Sequence, residues 1–449
     1  MKKIIAFVIH LLLSFIAIGQ SVSAELEEAV LTFVRQEKFT GSVLVARKGE
    51  ILLNKGYGLK NASTGVPNTI NSIYQTASIA KQFTSAVILK LQEQGKLSVN
   101  DKVSQYIPDY PNGDKITLHH LLSHTSGIYN YTDNKAFMAG DQGQPVTLDS
   151  MIRLFKAQPL NFEPGTRFSY SNSGYTLLGA IIEKLTGQSY QSVLENLILK
   201  PLGLRHTGYD FAALIDSNKT MGYSQYSNGH FISANPVHSS ILYTTGALYS
   251  TTDDLYKWHQ ALMGTRFLSA ASVNLLYTTH TARYGYGWQI DSLYNKKRVS
   301  HSGNVAGFKS IINRIPEDDI CVIILSNSNN SQPGPLAMIC LAILYQQPYQ
   351  LPVEKKFITL KEDVLRQYTG VYQFNPELSM TFTIKNNKLF AQPANQPGFE
   401  LWAETENKFF LKDFDIQFEF RKNSDTGDYS DVIFTRNKQS MSGKKIQSK

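Results

Sequence analysis

The sequence has little cysteine, two residues among 449, and only 18% of its residues are charged. Two cysteines cannot form a disulfide framework, so a hydrophobic core must hold the fold, and 42% apolar residues suffice for one. Cys321 and Cys340 both lie in apolar segments. An oxidising compartment would allow them to pair, but two buried thiols are the interpretation we favour.

Beyond its N-terminus the sequence has no uninterrupted apolar run of about 18 residues, the length that a membrane-spanning helix needs. The N-terminus itself carries Lys2 and Lys3, an apolar stretch from Ile4 to Ile18, and the small residues Val22-Ser23-Ala24. This order predicts a signal peptide over residues 1–24, with an uncleaved anchor as the alternative. We therefore expect an exported protein, periplasmic or secreted, with no stable membrane insertion after cleavage.

Several function classes lack their signatures in this sequence. Cleavage removes two lysines and no acids, which takes the net charge from +8 to +6, and no basic stripe with interleaved aromatics predicts a nucleic-acid partner. His120 and His124 have the spacing of zinc ligands on a helix, but the glutamate of His-Glu-x-x-His is missing between them. We interpret them as packing or hydrogen-bonding histidines and predict no metal and no cofactor. No Gly-x-Ser-x-Gly elbow indicates an α/β-hydrolase.

Residues 25–345 read as one domain with strands at both of its ends. A hairpin over 41–55 and strands over 308–315 and 320–325 flank a stretch, about 100–245, that is mainly helical and broken by proline and glycine. This order predicts an α+β fold in which an antiparallel sheet is flanked by helices and receives a helical insertion.

After residue 345 the pattern of apolar and polar residues changes. Residues 346–358 contain prolines and predict a linker, and residues 359–437 alternate apolar and polar side chains between turn clusters. Such short alternating strands are typical of a small antiparallel β-barrel-like domain. Residues 438–449 carry several lysines and predict a basic, solvated tail.

Ser78-Ile79-Ala80-Lys81 places a lysine one helical turn after a serine, at the start of an apolar-periodic helix. A buried lysine has a lowered pKa and can take the proton of a serine hydroxyl, which is otherwise a weak nucleophile. Ser442-Gly443-Lys444-Lys445 has the same spacing. Because that second copy lies in the predicted tail, we assign it no function. For Ser78, the structural alternative to a catalytic role is a serine that only caps the N-terminus of the helix.

Two further motifs carry groups that suit this chemistry. Tyr170-Ser171-Asn172 supplies a phenol that can relay a proton and an amide that can bind substrate, just before a predicted helix. His301-Ser302-Gly303 lies on or beside a predicted strand, where a glycine lets a substrate backbone approach. Each motif alone has low specificity.

Together and in this order, the three motifs resemble those of the serine β-lactamase and penicillin-binding-protein superfamily, most of all its class C-like branch. The stretches Ile116 to Gly127, Gly246 to Leu255 and Tyr284 to Trp288 also look like the segments between its motifs, so the resemblance covers roughly residues 30 to 345. It implies a β-lactamase/transpeptidase-like fold. The C-terminal domain resembles the lipocalin-like β domains appended to some of these hydrolases.

The resemblance also implies roles. Ser78 would be acylated, Lys81 and Tyr170 would share the proton transfers, and Asn172 would contact substrate. The backbone N–H groups of Ser78 and Asn304 would form the oxyanion hole, next to His301, Ser302 and Gly303. Many members carry lysine where His301 stands; because an imidazole is mostly neutral at neutral pH, we expect weaker binding of the carboxylate of β-lactams and D-Ala-D-Ala termini.

We therefore expect a serine hydrolase that attacks an ester or amide carbonyl through a Ser78 acyl-enzyme, of the esterase, D-amino-acid amidase or peptidase type. Its substrate would be a small molecule or a peptide, with peptidoglycan-derived ones among the candidates. Two alternatives stay open. One is a D-Ala-D-Ala carboxypeptidase or weak class C-like β-lactamase, and the other is a catalytically silent cell-wall-binding protein.

Overall fold

The computed structural model describes residues 21–227, 230–279, 281–353, 356–394, 398–411, 416–424, 426–436 and 439–446. Most of the predicted signal peptide, residues 1–20, lies outside this part of the chain. A helix covers residues 21–35, so it includes the expected cleavage position after Ala24. The chain divides into two compact units, with the boundary between Leu351 and Pro352, inside the predicted linker.

A six-stranded antiparallel sheet is the centre of the first unit. Its strands, in order across the sheet, are Gln289–Leu293, Lys296–Val305, Phe308–Ile315, Ile320–Ser326, Gly41–Arg47 and Glu50–Tyr57. The first two strands in sequence are joined by a two-residue turn, Lys48-Gly49, in which both residues have positive φ. Such a turn matches the right-handed twist of the strands that it connects. The predicted hairpin and the two predicted strands near 308–325 are thus present.

The central strands are buried on both faces. Leu44 and Ala46 pack into one apolar cluster, whereas Val43 and Val45 pack into another, because successive side chains of a strand point to opposite faces. Strand Ile320–Ser326 alternates in the same way. Near-continuous apolar sequence is what a strand between two covered faces requires.

Helices cover both faces of the sheet. Helix 21–35 and helix Pro333–Leu344 belong to one apolar cluster. The inserted helices on the other side are Ala80–Glu93, Val103–Tyr106, Leu118–Leu122, Lys135–Ala139, Leu148–Lys156, Asn172–Thr186, Tyr190–Leu194 continued by turns to Leu202, Ser239–Gly246, Thr252–Ala261 and Ala270–Leu276. Short strands connect them at Leu59–Asn61 with Val66–Pro67, at Tyr74–Gln75 with Leu248–Ser250 and Gly208–Tyr209, and at Tyr223–Ser227 with His230–Ser233. The described helices and strands confirm the α+β fold with its helical insertion.

The two cysteines are free and buried. Cys321 lies in the cluster that contains the inserted helices, and Cys340 lies in the cluster on the opposite face of the sheet. A strand of the sheet therefore separates the two thiols, which explains why they do not pair.

The second unit contains a closed, eight-stranded antiparallel barrel, preceded by helix Glu362–Arg366. Its strands are Gly370–Asn375, Leu378–Lys385, Lys388–Pro393, Phe399–Ala403, Lys408–Phe410, Ile416–Lys422, Tyr429–Arg436 and Gln439–Ile446. Aromatic side chains pack inside it: the ring of Phe382 lies 5.0 Å from that of Phe420 and 5.4 Å from that of Phe418. The predicted β-barrel-like domain is confirmed.

The predicted basic tail is wrong for Gln439–Ile446. This segment pairs with Tyr429–Arg436 and with Gly370–Asn375, and it thereby closes the barrel. Because a closed barrel has no free edge, a strand with mostly exposed side chains can still be held by its backbone hydrogen bonds. In this strand Ser442 and Lys445 are three residues apart and so point to opposite faces.

Among the described residues, no helix is long and apolar enough to cross a membrane.

Candidate active site

Ser78 lies in a 3₁₀ turn, Ala77–Ile79, that leads directly into helix Ala80–Glu93. The residue before it, Ala77, has φ of 49°, a conformation that is strained for a residue with a side chain. The preceding Thr76 is held on both sides: its N–H donates to the Leu248 carbonyl at 2.9 Å, and its carbonyl accepts from Ser310 Oγ at 2.7 Å. These contacts hold the sharp turn, from which the side chain of Ser78 is partly exposed.

Lys81 lies one turn along the helix and is fully buried. Its Nζ lies 3.1 Å from Ser78 Oγ and donates to the Thr245 carbonyl at 3.0 Å. No carboxylate in the described part of the chain forms an ion pair with it, and burial lowers the pKa of Lys81 well below 10.5. A lysine in this environment is poised to lose its proton and then to act as a base.

Tyr170 brings the second motif to the same place. Its ring centroid lies 5.0 Å from Lys81 Nζ, and the Ser78 side chain is near enough to its hydroxyl to oppose part of the pKa shift that burial causes. Burial raises the pKa of Tyr170 above its usual 10.0, so the side chain is a phenol rather than a phenolate at neutral pH. Asn172, two residues on, begins helix Asn172–Thr186, where its backbone N–H donates to Asn130 Oδ1 at 3.0 Å.

The third motif lies on strand Lys296–Val305, beside the turn that carries Ser78. Gly303 is the point of contact: a Cβ at this position would lie 2.3 Å from the Thr76 carbonyl oxygen and 3.0 Å from Ala77 Cβ. Only glycine therefore allows the strand to approach the turn this closely. Ser302 and Asn304 alternate with it and are exposed.

His301 is buried, at 2% exposure, and both of its ring nitrogens are occupied. Its Nδ1–H donates to the Ser302 carbonyl at 2.7 Å, and its Nε2 accepts from the Tyr284 hydroxyl at 2.9 Å. Burial, reinforced by the charge of Lys81, lowers the pKa of His301 to about 3. The imidazole is therefore neutral at neutral pH, as the sequence predicts. Both of its nitrogens form hydrogen bonds within the protein rather than facing an open surface.

His124 lies beneath Tyr170, with the two ring centroids 4.2 Å apart. Its Nδ1 accepts from the Ser171 backbone N–H at 3.1 Å, which ties the second motif to this ring. Burial lowers the pKa of His124 well below 6.5, and the nearby Lys81 and His301 lower it further. His120 instead accepts from the Thr117 N–H at 3.2 Å. Both are hydrogen-bonding histidines, and among the described residues no group of three potential ligands could hold a metal.

The structure thus brings Ser78, Lys81, Tyr170, His301 and Gly303 together. Three contributors were not assigned to the site from the sequence: His124, Tyr284 and the carbonyl of Thr245. All three lie in or next to stretches that carry the family resemblance, so that resemblance could have located them. Tyr226-Ser227-Asn228 has the same Tyr-x-Asn spacing as the second motif, but the Tyr226 hydroxyl instead accepts from the Leu59 N–H at 3.1 Å.

Comparison with known proteins gives one family. Residues 26–339 match the family model described as Beta-lactamase. The chain is 29% identical over 423 residues to penicillin-binding protein 4* of Bacillus subtilis (strain 168), a match that covers 88% of this chain and 92% of that protein.

Solved structures agree with this result. The octameric penicillin-binding protein homologue from Pyrococcus abyssi superposes with a TM-score of 0.66 at 27% identity, over 93% of this chain and 99% of that one. A D-stereospecific amidohydrolase from Streptomyces sp. superposes with a TM-score of 0.61 at 26% identity, over 70% of this chain and 99% of that one.

Proposed function

The chain belongs to the beta-lactamase family of serine hydrolases, and from this premise we propose that it is exported and attacks an ester or amide carbonyl through an acyl-enzyme at Ser78. The observation that carries the proposal is the 3.1 Å approach of the buried Lys81 Nζ to Ser78 Oγ. A base must lie within hydrogen-bond reach of the proton that it removes, and this one does.

In the first step, neutral Lys81 accepts the hydroxyl proton while Ser78 Oγ forms a bond to the carbonyl carbon. An ammonium has no lone pair for this proton. Burial of Lys81, to which no carboxylate among the described residues is paired, therefore favours the reactive form. The Thr245 carbonyl accepts one N–H of Lys81 and so directs its lone pair.

The negative charge that develops on the carbonyl oxygen needs donors fixed in advance. The backbone N–H groups of Ser78 and Asn304 are our candidates, because the close contact at Gly303 fixes the strand against the nucleophile's turn. Asn172 and Ser302 would contact the substrate on either side.

The leaving nitrogen or oxygen needs a proton, and Tyr170 is placed to pass it on. Its phenol lies beside Ser78 and Lys81, so the proton taken by Lys81 can reach the leaving group through the Tyr170 hydroxyl. Water then attacks the acyl-enzyme, and the proton transfers run in reverse to restore Ser78.

The neutral state of His301 favours substrates without a carboxylate next to the scissile bond. Esters and amides, including those of D-amino acids, fit this environment, and similarity to a D-stereospecific amidohydrolase supports the amide. Rates for p-nitrophenyl acetate, a D-amino-acid amide, nitrocefin and a D-Ala-D-Ala peptide would distinguish these from the carboxypeptidase or β-lactamase alternative.

In His301→Lys, we expect the ratio of the rate for the D-Ala-D-Ala peptide to the rate for the ester to rise about 10-fold, since one charge-assisted hydrogen bond is added. An unchanged ratio would contradict the role that we give to charge.

Covalent labelling tests the central proposal. Intact mass after treatment with a fluorophosphonate or a penicillin should show one adduct on the wild type and none on Ser78→Ala. Ser442→Ala is the matched control, because it alters the second serine with the same spacing and should label like the wild type. Peptidoglycan pull-down that persists in Ser78→Ala, without any adduct on the wild type, would instead favour a silent cell-wall-binding protein.

Export is tested on the mature N-terminus. We expect cleavage after Ala24, so sequencing of protein recovered from the periplasm or medium should begin at Glu25. The new terminus would keep a contact, since Glu25 accepts from the Tyr349 hydroxyl at 2.8 Å. Protein that begins at Met1 and remains with the cells would contradict export.

A further inference from the structure

Tyr284 lies where the three motif-bearing segments meet, and it is buried at 3% exposure. Its hydroxyl donates to Nε2 of His301, a residue of the third motif, at 2.9 Å. Its ring packs edge-on against Tyr170, with centroids 6.2 Å apart, and lies 4.7 Å from the ring of His124. One side chain thus contacts both the second and the third motif.

The turn that carries Tyr284 is itself fixed to the nucleophile's helix. Gly287, with φ of 76°, approaches the helix so closely that a Cβ would lie 2.7 Å from the Lys81 carbonyl oxygen. The Gly285 N–H donates to the Trp288 carbonyl at 2.9 Å, which closes the turn. The segment around Tyr284 therefore contacts the first motif as well.

We propose that Tyr284 is a positioning residue of the acylation site, whose hydroxyl and ring hold the His301 strand and Tyr170 at fixed separations from Ser78. The inference rests on the proposed function, and it gives His301 a second role besides its neutral charge. Its imidazole accepts the hydrogen bond from the Tyr284 hydroxyl, and we call this hydrogen bond the link. The protons are consistent, because Nδ1–H is donated to the Ser302 carbonyl and Nε2 is left as the acceptor.

The link has no net charge, which matters in this location. A cation at position 301 would lie near Lys81, with no carboxylate in the described region paired to either, whereas a phenol–imidazole hydrogen bond joins the same elements without a charge. The link therefore leaves the proton balance of Lys81 undisturbed.

The test is a double-mutant cycle on the acylation rate. Tyr284→Phe keeps the ring and removes the hydroxyl; we expect acylation to slow about 10- to 100-fold with KM within about twofold, because reacting groups shift while substrate contacts remain. His301→Leu removes the acceptor and should slow acylation equally. The double variant should be no slower than either single one, since the two groups act as one unit.

Rescue and control variants sharpen the test. His301→Gln retains an acceptor oxygen, so it should exceed His301→Leu in activity when Tyr284 is present, and lose that advantage with Tyr284→Phe. Tyr286→Phe is the matched control: it removes a buried hydroxyl from the same turn, one that lies 2.7 Å from His119 Nδ1, and acylation should change less than about twofold.

Two failures are distinguishable. If fluorophosphonate does not label the wild type at Ser78, the proposed function and this inference both fall. If the wild type labels but Tyr284→Phe behaves like Tyr286→Phe, or if the effects of Tyr284→Phe and His301→Leu multiply in the double variant, the positioning role alone is wrong.

Discussion

Among the described residues of the first unit, two basic side chains of lysine or arginine are completely buried, Lys81 and Arg314, and their surroundings differ. Arg314 Nε donates to His259 Nδ1 at 2.8 Å, and its guanidinium lies over the ring of Trp288, 5.3 Å from the centroid. His259 in turn donates from Nε2 to Asp319 Oδ1 at 3.0 Å. Lys81 has the Thr245 carbonyl, Ser78 Oγ and neutral rings, but no carboxylate among the described residues.

The difference follows from the chemistry of the two side chains. A guanidinium keeps its proton at any physiological pH, so its charge must be compensated, and the neutral His259 links it to the Asp319 carboxylate through two hydrogen bonds. An amine can give up its proton, so its burial can remain uncompensated and becomes a source of reactivity. A neutral histidine accompanies each cation, with a pKa of about 2 for His259 and about 3 for His301.

Lys81→Met should have the largest effect of all. We expect kcat/KM for p-nitrophenyl acetate to fall about 10³- to 10⁴-fold, because the base is lost. The free energy of unfolding should stay equal or rise, since an uncompensated buried amine is replaced by an apolar chain of similar length. Urea denaturation measures the second quantity, and a clear loss of stability would mean that Lys81 holds the fold.

Arg314→Met should have the opposite profile. We expect the free energy of unfolding to fall by about 3 kcal/mol, because the acceptors that surround the guanidinium lose their donor. Fluorophosphonate labelling of Ser78, measured at low temperature on the folded protein, should stay within about threefold of the wild type, because the side-chain contacts of Arg314 are with His259, Tyr277 and Trp288 rather than with Ser78, Lys81 or Tyr170. A stable but unlabelled variant would show that this network serves catalysis instead.

Three buried histidines, His124, His259 and His301, predict how stability depends on pH. Their pKa values lie below the unfolded value of about 6.5, so below that pH the unfolded chain binds more protons than the folded one. Stability should be complete above pH 6.5 and fall on acidification toward pH 3, by about 1.4 kcal/mol per pH unit for each histidine. Urea midpoints between pH 8 and 4 measure this slope. His259→Gln should make the slope shallower, and an unchanged slope would contradict the neutral state.

Lys445 follows Ser442 at the same spacing as Lys81 follows Ser78, but it lies in an exposed strand position. We expect Lys445→Met to leave kcat/KM within about twofold and the free energy of unfolding within about 0.5 kcal/mol, as for most surface substitutions. A larger loss of activity would contradict the view that a lysine with this spacing from a serine must also be buried in order to serve catalysis.

The sequence predicts those features that depend on near neighbours. Ser78 and Lys81 are three residues apart on a helix, so their approach is visible in the spacing alone. The link from Tyr284 to His301 and the packing of His124 under Tyr170 depend on how distant segments meet, which a local pattern does not contain. Family resemblance supplied the order of the motifs, but not these contacts.

The same reasoning explains the strands. Gly41–Arg47 and Ile320–Ser326 are apolar throughout because both of their faces are covered, and they are easily recognised. Strand Gln439–Ile446 has one buried residue, Gly443, and no apolar alternation. Its place in the barrel depends on backbone pairing with its neighbours, so composition alone indicated a tail.

The separation of Cys321 and Cys340 by the central sheet provides two built-in reporters of local opening. Burial raises the pKa of both thiols to about 12, so a thiol reagent reacts only when the surrounding structure opens. One thiol reports on the side that carries the inserted helices and the other on the side of helix Pro333–Leu344. Comparing their labelling rates during slow denaturation would reveal which layer of the molecule detaches first.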